Sequence, residues 1–103
     1  MDFKVVFRDT FLDDLERLVG SVALHNPPAA SKLGEAIVAA GEGLCIFPER
    51  HPRVRRRPEI RRLIVKKHFK VFYRILVDAK TVEILRCWDG RQAADPPIAA
   101  EED

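Results

Sequence analysis

The 103-residue sequence is poor in the side chains from which most active sites are built: it has two cysteines, three histidines, one tyrosine and one tryptophan. Cys45 and Cys87 have no neighbour at zinc-ligand spacing, and His25, His51 and His68 are scattered, so neither a metal nor another cofactor is expected. Both cysteines stand beside apolar residues, which predicts buried free thiols in a reducing compartment. There is no Gly-x-Ser-x-Gly elbow and no glycine-rich phosphate loop, which sets aside the common serine hydrolases and nucleotide-binding folds. No run approaches the ~18 apolar residues of a membrane span, and Met1-Asp2-Phe3-Lys4 lacks the apolar stretch of a signal peptide. A soluble cytoplasmic protein with no membrane partner is expected. Without a protein nucleophile, the one reaction the composition supports is metal-independent acid–base cleavage of RNA, in which a ribose 2′-hydroxyl attacks.

What is present is ordinary globular composition, 47% hydrophobic and 33% charged, enough for one domain with a modest core. The charge is unevenly placed. Between Arg50 and Lys70 ten Lys/Arg stand against one acid, Glu59, so this segment carries +9 in a chain whose formal net charge is only +2. Such a surface binds anions, and phosphate backbones are the commonest large anions in a cytosol.

Phe3, Val5 and Phe7 alternate with Lys4, Val6 and Arg8, the period of a half-buried strand. Thr10 with Asp13 three residues on resembles a capping box, and Phe11, Leu15, Leu18, Val19 and Val22 then form the stripe of an amphipathic helix. Asn26-Pro27-Pro28 ends that helix and opens a second, with Asn as N-cap and Pro in the first turn. Ala30, Leu33, Ile37, Ala40 and Leu44 give the second helix its seam, and Pro48 ends it. Pro48 to Glu59, with three prolines and five arginines, reads as a charged loop. Three β-type runs follow, Ile60–Val65, Phe69–Val77 and Thr81–Trp88. The gaps Lys66-Lys67-His68 and Asp78-Ala79-Lys80 are too short for parallel crossovers, so the three runs predict an antiparallel meander.

The predicted fold is α+β, β-α-α-β-β-β, an αα-hairpin packed on a mainly antiparallel four-stranded sheet. Residues 1–92 form the single domain, and Ala93 to Asp103 a flexible acidic tail. Leu63, Val65, Val71, Ile75, Val82 and Ile84 are expected in the core with Tyr73, its hydroxyl at the rim. The opposite sheet face is left with much of the positive charge.

On that face, period two places Arg62 and Lys66 on one side of their strand, with Lys70, Arg74 and Arg86 on neighbouring strands. Arg91 follows Trp88-Asp89-Gly90, where glycine permits a bend that can return a side chain over the sheet. The candidate site is therefore Arg62, Lys70, Arg86 and Arg91, with His68 in a hairpin turn as a possible proton carrier and Asp89 as the nearby acid. Arginines beside Asp89 lower its pKa, which suits it poorly to general-acid work. Trp88 reads as a core or interface anchor.

The element order resembles the RelE/ParE superfamily of bacterial type II toxins. So do Asn26-Pro27-Pro28-Ala29-Ala30, Phe47-Pro48, Ile60-Arg61-Arg62-Leu63-Ile64-Val65 and Phe72-Tyr73-Arg74-Ile75. Val82-Glu83-Ile84-Leu85-Arg86, leading to Trp88-Asp89-Gly90-Arg91-Gln92, completes a likeness that spans about residues 3 to 92. It is closer to the ParE branch, whose members are often labelled plasmid stabilisation proteins. The resemblance implies a growth-inhibiting toxin, neutralised by a cognate antitoxin within a hetero-oligomer and aimed at DNA gyrase. The alternatives are a RelE-like ribosome-dependent mRNA endoribonuclease and a non-toxic nucleic-acid-binding homologue. Lys70 matches the position after the third-strand aromatic where RelE-like enzymes place an arginine, and Arg91 matches their terminal arginine. RelE-like nucleases also carry a Tyr, or a His-Tyr pair, after the last strand, and Ala93 to Asp103 has neither. Asp89 stands where ParE-like chains often have histidine.

Overall fold

The computed structural model describes residues 2–91 and 96. The alternating start of the chain forms strand β1, Lys4–Phe7. Helices α1, Asp9–Ala23, and α2, Pro27–Glu42, follow as a hairpin, and α2 runs into single 3₁₀ turns at Gly43–Cys45 and Pro48–Arg50. The remaining strands are β2, Arg53–Val54, β3, Arg57–Val65, β4, Phe69–Leu76, and β5, Thr81–Asp89. In space their order is β1-β5-β4-β3-β2, with β1 parallel to β5 and all other pairs antiparallel.

The sheet thus has five strands, where four were expected. The additional one, β2, comes from the arginine- and proline-rich stretch read as a loop. Its Arg53 pairs with Arg61, and the carbonyl of Pro52 accepts from the Arg62 amide at 3.0 Å. Backbone groups make this pairing, so no side-chain period announces it.

The two helix starts illustrate local and tertiary control. Asn26 caps α2 as its sequence demands, its Oδ1 accepting from the Ala29 amide at 3.1 Å. Thr10, by contrast, does not cap α1: Arg8 is the N-cap, and no side chain bonds there. β1 stops at Phe7, and the chain continues along β5 as helix, Arg8 donating its amide to Ile84 O at 2.9 Å. Thr10 Oγ1 then donates to the Leu85 carbonyl at 2.6 Å, satisfying an acceptor that no strand reaches.

Between the layers, Phe11, Leu33, Ile37 and Leu44 meet Leu63, Val65, Phe69, Val71, Tyr73, Val82, Ile84 and Cys87, with Ile75 packed against them. Each large apolar side chain fully buried here stabilises the fold by about 1.5–3 kcal/mol. The Tyr73 hydroxyl is not at the rim. It is buried, donates to the Pro48 carbonyl, and burial pushes its pKa up to about 12. A second, smaller cluster of Ile60, Phe72 and Leu85, joined by Val54 and Trp88, was not expected. Both cysteines are free thiols, Cys87 buried and Cys45 half-buried. Among the described residues no helix is long and apolar enough to cross a membrane. The tail expected from Ala93 to Asp103 lies outside the described residues except for Pro96, which is buried.

Candidate functional site

Strand register builds the basic face. Arg62 lies opposite Phe72, Lys70 opposite both Ile64 and Trp88, and Phe72 opposite Arg86. Partners across a ladder share a face, so Arg62, Lys70 and Arg86 gather around Ile64, Phe72 and Trp88 on the side away from the helices. The Arg86 guanidinium lies 5.9 Å from the centroid of the Trp88 ring. Arg62 is half-buried, and its Nε has no hydrogen-bond partner among the described residues. A buried N–H without an acceptor carries a desolvation cost that an incoming anion would relieve.

Arg86 belongs to this face but is committed elsewhere. Its Nε and Nη2 donate to Asp14 Oδ2 and Oδ1 at 2.6 and 3.0 Å. The same carboxylate accepts from Arg17 at 3.1 Å and from the Cys87 amide at 3.2 Å. Asp14 therefore stands in for a neighbouring strand where β5 runs on past the end of β1, and the bond to Asp14 raises the Arg86 pKa. Sequence reading missed Asp14, although a signal existed: it lies three residues after Phe11 and four before Leu18, inside the apolar stripe. A charge at such a position needs a partner. Arg74 is likewise paired, with Glu83, which also accepts from Arg8 at 3.2 Å.

Asp89, Arg91 and His68 meet at the other end of β5. Asp89 lies opposite Phe69, a member of the main core, and so on the helix side. The Arg91 Nε and Nη2 donate to Asp89 Oδ1 and Oδ2 at 2.9 and 2.7 Å, and its guanidinium lies 5.7 Å from the Phe69 ring centroid. Arg91 is thus held on the helix side by Asp89 and Phe69, while Lys70 extends along the other face until its Cε comes close to Gly90. The bend after β5 turns Arg91 toward the helices. Hydrogen bonding to Arg91 holds the Asp89 carboxyl below its usual range, in the direction the sequence implied. Gly90 makes the bend possible: its amide donates to His68 O at 2.6 Å, so the backbones approach closely. His68 is exposed in the β3–β4 turn, its ring edge-on to Phe69. A cavity of about 360 Å³ between α1 and the end of β5 is lined by Asp14, Arg17, Leu18, Ser21, Cys87, Trp88 and Asp89.

Several of the expected anion-binding arginines are structural. Arg50 donates to carbonyls of its own turn, Arg61 to Glu49 O and His51 O at 3.0 and 2.7 Å, and Arg57 pairs with Glu59 at 2.7 Å. His51 sits within this knot, edge-on to Tyr73, its Nε2 buried without a partner among the described residues. Burial, then Arg50, lowers its pKa from 6.5. The unfolded chain therefore takes up a proton that the folded chain resists, so His51 leaves stability intact above pH 6.5 and diminishes it as pH falls below that value. In urea titrations the wild-type midpoint should fall between pH 7 and 5, and the fall should be shallower in His51→Gln. Equal slopes would rule out His51 as the source.

A family model described as the ParE toxin of the type II toxin–antitoxin system parDE matches residues 5–94. Among solved structures, one from the chromosomal ParDE system of P. aeruginosa aligns with TM-score 0.74 at 20% identity, covering 84% of this chain and 95% of that one. One from the toxin–antitoxin complex RelBE2 of Mycobacterium tuberculosis gives TM-score 0.66 at 24% identity, covering 86% and 99%. A mutant of E. coli RelE in the free state gives 0.53 at 12%, covering 90% and 88%. Among curated proteins none matches. The structural likenesses speak for the fold, and the family match spans most of the sequence: the chain belongs to the ParE toxin family of type II toxin–antitoxin systems, within the RelE/ParE superfamily.

Proposed function

We propose that the protein inhibits growth by binding DNA gyrase, without cutting nucleic acid, and that a cognate antitoxin neutralises it in a hetero-oligomer. The observation that carries this reading is the commitment of Tyr73 and Asp89, two of the groups that could otherwise move a proton. The only tyrosine, Tyr73, is buried and donates to Pro48 O, Asp89 is held ionised by Arg91, and residues 93–103 contain neither Tyr nor His. Arg62 and Lys70 on the helix-free face remain suited to anion contact without an acid–base pair beside them. The family match supports the toxin class, and the cytoplasm is where such a target lies.

Purified protein is expected to block supercoiling of relaxed plasmid by gyrase, while mRNA stays intact in cells that stop growing after induction. Gyrase unaffected at stoichiometric excess would sink the proposal. Arg62→Ala combined with Lys70→Ala should raise the inhibitory concentration at least about 10-fold, since hydrogen bonds to charged groups contribute roughly 1.5–3 kcal/mol each. Thermal stability should barely change. The endoribonuclease reading draws on the orphaned Arg62 Nε as a phosphate contact and leaves His68 as the proton carrier. Cut mRNA on induction, abolished by His68→Ala, would favour it.

A further inference from the structure

The link between α2 and β2 holds a bulky residue in a conformation it rarely takes. Phe47 has φ 47° and ψ 55°, the left-handed region, where a Cβ crowds the backbone. Three side chains hold the surrounding turn. Arg50 donates to the carbonyls of Ile46, Phe47 and Gly43, the last two at 3.2 and 3.4 Å. Arg61 holds Glu49 O and His51 O, and Tyr73 holds Pro48 O, with Pro48 itself buried. The outcome of this clamp is outward: Ile46 is 47% exposed and Phe47 69%. Large apolar side chains ordinarily fold back onto a core when the backbone leaves them free to, and here it does not. Strain held by so many bonds marks a surface kept in shape for contact.

The surroundings specify the contact. Residues 46–57 contain five arginines and one glutamate, and the stretch includes β2, an edge strand of the sheet. A second copy docking by the same patch would set these like charges against one another. Bases stacking on Phe47 would make no use of the neighbouring Ile46. We propose that Ile46 and Phe47, with exposed Arg53, Arg55 and Arg56, form a docking surface for an acidic segment of the antitoxin. That segment places an apolar side chain over Phe47 and carboxylates toward the arginines. The inference rests on the toxin–antitoxin reading above and adds the surface and the chemistry of what covers it.

The test measures binding of the purified product of the adjoining reading frame to this protein and its variants. Phe47→Gly removes the ring while keeping a residue at ease with φ 47°, so its melting temperature should equal or exceed that of the wild type. Its affinity should fall at least about 10-fold, the effect of truncating a buried aromatic anchor. Arg53→Glu with Arg55→Glu should weaken binding similarly and flatten its salt dependence. Phe47→Asn, also tolerant of the left-handed region, should reproduce the loss. Phe47→Gly binding within twofold of wild type overturns the proposal while leaving the toxin–antitoxin reading in place. Wild-type protein that fails to bind overturns both. If Phe47→Gly instead loses affinity for a single-stranded RNA probe and keeps the acidic partner, the surface is a nucleic-acid contact and the proposal fails.

Discussion

Asp14→Ala is expected to lower folding stability by about 3–5 kcal/mol, the cost of leaving one member of a buried ion pair without the other. The carboxylate side chain is 2% exposed and that of Arg86 16%, so water compensates little. Alanine would take one shared acceptor from the Arg86 Nε and Nη2, the Cys87 amide and Arg17 Nη2 together. Domains of this size have roughly 5–15 kcal/mol in total, so a large share would be gone, visible as a lower urea midpoint. Arg17→Ala serves as the contrast. Its side chain is mostly exposed, and a surface pair contributes about 0–1 kcal/mol. Asp14→Leu combined with Arg86→Met, which removes both charges, should regain much of the loss. If Asp14→Ala cost less than about 1 kcal/mol, the pair would not be structural, and Arg86 would return to the basic face as a binding group.

Gly90→Ala is expected to cost about 1–3 kcal/mol and to reduce toxicity, because the added carbon has nowhere to go. A Cβ at this position would stand 2.6 Å from the His68 carbonyl oxygen and 3.1 Å from Lys70 Cε. The lysine tip can swing aside, but the carbonyl is backbone within a turn whose Lys66 and Lys67 already have positive φ. The turn between β3 and β4 must therefore part from the end of β5, and the Gly90 amide loses its acceptor. Asp89 and Arg91 flank the change, so their orientation moves with it. Growth inhibition measured beside melting temperature separates the two effects: Arg91→Ala should reduce toxicity while leaving melting nearly unchanged. A Gly90→Ala protein with wild-type melting and toxicity would mean that the bend adapts and has no part in positioning Arg91.

Which features were legible follows from how far apart in sequence their causes lie. The α2 cap at Asn26, the stripes of both helices and the antiparallel meander depend on neighbours within a few residues. All stand where the periodicities place them, except that α2 ends at Glu42 and leaves Leu44 to a 3₁₀ turn. Thr10 carries a local capping signal that the structure does not use: the helix begins at Asp9, and the hydroxyl goes to the distant carbonyl of Leu85. Ile60, Phe72 and Leu85 were invisible as a second cluster because β4 is apolar on both of its faces there, which blurs a period of two. Phe47 was hidden for a different reason: nothing in its neighbours requires a left-handed aromatic, and only the clamp from Arg50, Arg61 and Tyr73 does. At the candidate site, Arg62 and Lys70 share the face that alternation gave them. Arg86 and Arg91 are drawn off by Asp14 and Asp89.

The parallel pairing of β1 with β5 also sets a clock. Among the described residues Lys4–Phe7 has its ladder with Thr81–Ile84 alone, so β1 has no strand partner until β5 has been synthesised. At about 5–20 residues per second, that interval is roughly 4–15 seconds. During it Phe3, Val5 and Phe7 lack the strand and core that later cover them, while the helical hairpin between can already form. The sheet is completed only once β5 has been made, so a newly made molecule acquires its five-stranded shape late. The acidic partner proposed above would then meet a chain whose β1 and β5 have yet to join.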